Sequence, residues 1–131
     1  DPIGGYTNNF DNPTNGFIIS DFDIYTEIGF ENGALHSPHP YPSPNEDDSY
    51  FNFSTILKHP IILKENGTMS FDEIVLVEPG NTTQFGTDNF WDYVIVEGSK
   101  NNGSNWLPLS DGYDANDNSI WSYNYNLNMT D

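Results

Sequence analysis

Apolar and aromatic residues along this 131-residue chain fall into short runs, each closed by Gly, Pro, Asn, Asp or Ser. Nine runs carry the β-branched and aromatic content of strands: residues 17–20, 22–25, 34–36, 50–53, 61–63, 69–78, 90–97, 106–109 and 120–125. No segment sustains an apolar period of 3.6 residues, and only two alanines occur, so the pattern predicts almost no helix. Within 71–77 the alternation breaks, because Ile74, Val75, Leu76 and Val77 are apolar on both faces. That run predicts a strand covered on both sides, or one edge tucked under a loop. The whole pattern predicts an all-β fold, a jelly-roll-like sandwich of two antiparallel sheets. Phe71, Val75, Val94, Val96 and Trp106 are its expected core.

Residues 90–106 carry the clearest local signal: an apolar strand, a polar turn containing Asn102-Gly103, and a second strand opening on Trp106. Gly supplies positive φ and Asn tolerates it, so the turn closes while the flanking residues pair. Residues 99–106 resemble the Asp-box pattern S-x-D-x-G-x-T-W, with Asn101 at the usual Asp and Asn105 at the usual Thr. That resemblance implies a hairpin corner of an extracellular β-protein and carries no catalytic meaning. Four of the nine prolines fall in 36–44, which predicts an extended loop, since proline lacks the ladder N–H. Residues 45–48 continue it as an acidic tip, and 79–89 and 110–119 read as two further loops.

Composition narrows the function classes. One domain spanning 1–131 is expected from this length. Twenty acidic residues face three lysines (Lys58, Lys64 and Lys100), for a net charge of −17. Nucleic acid is excluded as a partner, because no cationic patch exists to displace phosphate counterions. No apolar span predicts membrane insertion. With no cysteine, disulfides and thiolate metal sites are excluded as well. The abrupt opening at Asp1-Pro2 suggests a piece of a longer precursor. Five N-x-S/T sequons occur, but in so Asn-rich a chain several arise by chance.

Candidate chemistry follows from the acidity. Carboxylates and amide oxygens are hard ligands that suit Ca²⁺. Asp72 and Asp92 interrupt apolar strands, and a buried carboxylate is costly unless paired or metal-bound, so both are candidate ligands, with Asp21 and Asp23 beside them. Asp111, Asp114 and Asp117 form a rival site in a loop that lacks the EF-hand frame. The alternatives are strand aspartates facing water, an Asx-rich hairpin loop, and acidity that serves only solubility. His36 and His39 lie on an extended segment, pointing to different sides, and predict no zinc site. No nucleophile elbow, P-loop or dinucleotide fingerprint is present, and no enzymatic activity is expected. Trp91, Trp121 and Tyr123 are candidate ligand-binding aromatics, whose rings would stack on sugar faces beside Asn and Asp side chains.

From about residue 16 to 121 the order of motifs resembles a β-sandwich module of large secreted proteins of Bacteroidetes-type bacteria. It is similar to MAM-like and concanavalin-like jelly rolls. The matching pieces are GALHSPHPY at 33–41, LKHPI at 57–61, FDEIVLVEPG at 71–80, WDYVIVEGS at 91–99 and WLPL at 106–109. The resemblance implies a secreted or cell-surface, non-catalytic accessory or adhesion module, calcium-stabilised, whose partners are neighbouring domains of a parent protein. The family's acidic pair would fall on Asp72 and Asp92, while its disulfide framework has no counterpart here. A carbohydrate-binding module that takes polysaccharide on its exposed aromatics is the alternative.

Overall fold

A computed structural model describes residues 1–12, 16–39, 41 and 51–128. The expected acidic tip at 45–48, residues 40 and 42–44 of the proline loop, and Tyr50 lie outside the described residues. The chain forms two compact units, Asp1–Gly67 and Thr68–Asp131. It is β-rich, with strands as the commoner regular element and helix confined to residues beyond 114.

In the first unit, strands β1 (Phe17–Ile18), β2 (Asp23–Tyr25), β3 (Ala34–His36) and β4 (Ile56–Leu57) make two antiparallel pairs, β1–β4 and β2–β3. Asp23 stands opposite His36, and Tyr25 opposite Ala34. This register sets Tyr25 and His36 diagonally on one face, where their rings stack with centroids 4.7 Å apart. Glu27 lies 3.4 Å from His36 Nε2. A parallel bridge joins Ile3 to Ile61. Tyr6 braces β1, its ring edge-on to Phe17 and its hydroxyl accepting the Gly16 N–H at 3.2 Å.

In the second unit, β5 (Glu97–Gly98) and β6 (Leu107–Pro108) pair antiparallel around the Asn102-Gly103 turn. Both turn residues have positive φ, 55° and 86°. Ser99 Oγ accepts the N–H groups of Asn101 and Gly103, and Asn101 Oδ1 accepts the N–H of Asn105 at 2.9 Å. Asn101 thus supplies, with its amide oxygen, the acceptor that closes the turn. The indole of Trp106 closes over Gly103, where a Cβ would meet the ring at 3.4 Å. A second bridge joins Val94 to Tyr113. Phe85, Phe90 and Tyr93 form an edge-to-face aromatic cluster with centroids 5.0–6.3 Å apart.

Several expectations need correction. Residues 120–125 are not a strand: they belong to helix α1 (Ser119–Asn128). Trp121, Tyr123, Tyr125 and Leu127 alternate with polar residues and mimic a period of two. The deciding signal is Asn118, whose Oδ1 accepts the Ile120 N–H at 2.9 Å and so caps the helix start. Among the described residues, 69–78 joins no ladder, and 90–97 contributes only the Val94 bridge and the start of β5. Residues 61–63 contribute a bridge at Ile61, whereas the unexpected strand β4 lies just before it. Of the expected core only Val75 is buried; Val94 and Val96 are half-buried, and Phe71 and Trp106 are exposed (52% and 40%). With no partner strand laid against it, the 69–78 run buries one side chain rather than a whole face.

The hairpin network makes a direct prediction. Asn101→Asp keeps the acceptor and should leave stability within about 0.5 kcal/mol of the parent chain. Asn101→Ala should cost about 1 kcal/mol in urea unfolding, from the lost acceptor. Equal stability of the two variants would remove Asn101 from the turn's framework.

Candidate functional site

The second unit gathers its polar chemistry around residues 110–118. Asp114 is the most deeply buried polar residue among those described, at 2% exposure. Its Oδ1 accepts the Asn116 N–H at 2.8 Å, which caps the 3₁₀ turn η1 (Ala115–Asp117). Its Oδ2 accepts the Gly80 N–H at 3.0 Å, across 34 residues of chain. Asn116 Nδ2 returns a bond to the Gly80 carbonyl at 3.1 Å, so the two segments are clamped in both directions. A Cβ at position 80 would collide with the Asn89 carbonyl, so glycine lets the backbone come this close. Hydrogen bonds to a charged acceptor contribute about 1.5–3 kcal/mol each. Asp114 is therefore a structural clamp, each of its carboxylate oxygens accepting one backbone N–H.

Beside the clamp lies a groove of about 210 Å³. Met69, Phe71, Val96 and Leu109 form its apolar walls, with Glu73, Ser110, Tyr113 and Asp117 as the polar lining. The Val94 bridge holds Tyr113, exchanging N–H···O bonds of 2.8 and 2.9 Å. The phenol donates to Glu73 Oε2 at 2.7 Å, linking residues 40 apart. Burial, then the Glu73 hydrogen bond and charge, then the charge of Asp117 push the Tyr113 pKa far above its ordinary 10.0. Its hydroxyl thus remains a donor across the working pH range, and Glu73 is held in one place.

The expected metal ligands fall in both units. Asp21 accepts the Ser54 N–H at 3.0 Å, and Asp23 sits exposed on β2. Both belong to the first unit, whereas Asp72, Asp92, Asp111, Asp114 and Asp117 belong to the second. Asp72 and Asp111 are exposed, Asp92 is half-buried, and Asp117 lines the groove. Among the described residues, no three His, Cys, Asp or Glu side chains come together as a metal site would require.

Of the three aromatic candidates, Trp121 and Tyr123 lie on α1 and Trp91 lies outside any strand or helix. Trp91 is exposed (44%), Trp121 is half-buried and Tyr123 is 66% exposed. On a strand, Trp121 and Tyr123 would share a face; on α1, two residues at about 100° each put them on opposite sides. The groove itself escaped sequence reading. Glu73 and Tyr113 were each visible as an acid and an aromatic, but nothing local joins them, and Met69 and Leu109 look like ordinary strand ends. No helix among the described residues is long and apolar enough to cross a membrane. No protein-family model, curated protein or solved structure matches the chain.

The Tyr113–Glu73 bond should show itself at alkaline pH. A tyrosine raised in the folded state contributes stability that is complete below pH 10 and is lost as pH climbs above it, because the unfolded chain ionises first. Tyr113→Phe should destabilise the chain by about 1 kcal/mol at pH 8. The gap between variant and parent should narrow above pH 10 in urea unfolding. A gap independent of pH would place the phenol outside this interaction.

Proposed function

We propose that this chain is a non-catalytic accessory or adhesion module of a secreted or cell-surface protein, acting by contact with other proteins. In this reading the ladders β1–β6 are parts of a jelly-roll-like sandwich, and neighbouring domains of a parent protein are its ordinary partners. One observation carries the proposal. Among the described residues only Val75 and Ala115 are buried hydrophobics, while Met69 (64%), Ile74 (58%), Leu107 (61%) and Leu109 (61%) of the second unit are exposed. Exposed apolar surface rimmed by polar groups is what protein contacts use. The Asp-box-like corner supports the extracellular setting.

Retention on immobilised proteins and on immobilised polysaccharides, at physiological salt, separates the readings. Retention on proteins that falls with Leu107→Ser supports the module acting by protein contact. Retention on polysaccharide alone, lost with Trp91→Ala or Tyr123→Ala, transfers the function to carbohydrate binding. No retention on either overturns the contact reading.

Calcium binding, with Asp72 and Asp92 as first-choice ligands, is supported by the net charge. A net charge of −17 repels itself, and three lysines do not offset it. A cation held only by the folded state stabilises by about 2.7 kcal/mol at a hundredfold excess over Kd. The melting temperature should then rise by several degrees in excess calcium over chelator at matched ionic strength. Coincident melting curves would assign the acidity to solubility.

A further inference from the structure

We propose that the groove lined by Tyr113 docks a basic, apolar-flanked segment of a partner protein, one Arg or Lys lying between Glu73 and Asp117. The inference rests on the contact-module reading and supplies the chemistry of the partner. Three observations carry it together. The groove holds about 210 Å³, room for one long side chain, and its walls are Met69, Phe71, Val96 and Leu109. Two carboxylates line the same space and no basic residue does, so the groove presents negative charge that nothing in its own lining neutralises. Tyr113 spends its hydroxyl hydrogen on Glu73 at 2.7 Å, which fixes that carboxylate while leaving it acceptor capacity.

Each alternative occupant meets a physical obstacle. Calcium takes six to eight oxygen ligands, but four of the eight lining residues are hydrocarbon or thioether and supply none. Phosphate and nucleic acid would approach two carboxylates with like charge. A second copy of this chain would bring another −17 against this face. An Arg or Lys side chain matches the lining atom by atom. Its stem would pack on the apolar walls while its head meets the carboxylates. Arginine suits the site better than lysine, because its planar fork reaches two carboxylates at once. Apolar residues flanking the cation would cover Met69 and Leu109, which are exposed at 64% and 61%.

Fluorescence anisotropy with the intact chain and a labelled LARLA peptide tests the proposal, with LAELA and GSRGS peptides as comparisons. LARLA should bind, LAELA should not, and GSRGS should bind more weakly. Glu73→Gln should weaken LARLA binding about tenfold, as should Asp117→Asn, whereas Asp88→Asn, which removes the same charge outside the groove, should not. Because Glu73→Gln also disturbs the Tyr113 bond, exposed Asp117 keeps the test valid if the first variant unfolds. Equal loss with Asp88→Asn, or binding indifferent to both groove variants, would overturn the docking site. Absence of LARLA binding overturns it too. If retention on immobilised proteins then persists, the docking site alone fails; if that retention is also absent, the contact-module reading fails with it.

Discussion

Short oxygen-bearing side chains hold this fold where longer ladders would ordinarily do so. Ladders of two or three residues leave most backbone N–H groups without a strand partner. Asn, Asp and Ser side chains take up many of them. Asn8 accepts from Phe10, Asp11 from Gly33, Asp21 from Ser54, Ser99 from Gly103, Asn101 from Asn105, and Asn118 from Ile120. Asp114 does the most, because its two oxygens join an η1 cap to a segment 34 residues away. Such local side-chain bonds compete with regular structure and win when the sequence is rich in these residues. Among the described residues, no buried side-chain nitrogen or oxygen lacks a partner.

That economy of polar bonding has an apolar consequence. Side-chain oxygens can satisfy a backbone segment without burying its apolar face, so 69–78 is held at Glu73 and Gly80 while Met69, Phe71 and Ile74 remain in solvent. Burial of large apolar side chains contributes roughly 1.5–3 kcal/mol each. A partner that covers them therefore gains what folding of this chain leaves unused. The groove is where this exposed surface meets fixed negative charge, which makes a cationic, amphipathic segment its natural complement.

The acidity then has two separate meanings. Spread over the surface, a net charge of −17 resists the compact state through self-repulsion. At Glu73 and Asp117, which line the groove with Tyr113, it is the charge that the proposed cationic segment would meet. Asp114 belongs to neither role, since its charge is spent on backbone N–H groups.

The Ser99–Trp106 hairpin and the strands at 22–25 and 34–36 were legible in the amino-acid order, because turn chemistry and strand composition act locally. The chain also showed that its carboxylates need explaining. It did not show which ones matter. The apolar alternation pointed to a strand at 120–125, whereas the residues form a helix whose start the Asn118 cap marks. The pairing of Glu73 with Tyr113 and of Gly80 with Asp114 spans 40 and 34 residues. Contacts of that separation depend on how the intervening chain closes, and loop closure leaves no periodic trace in the residues it brings together.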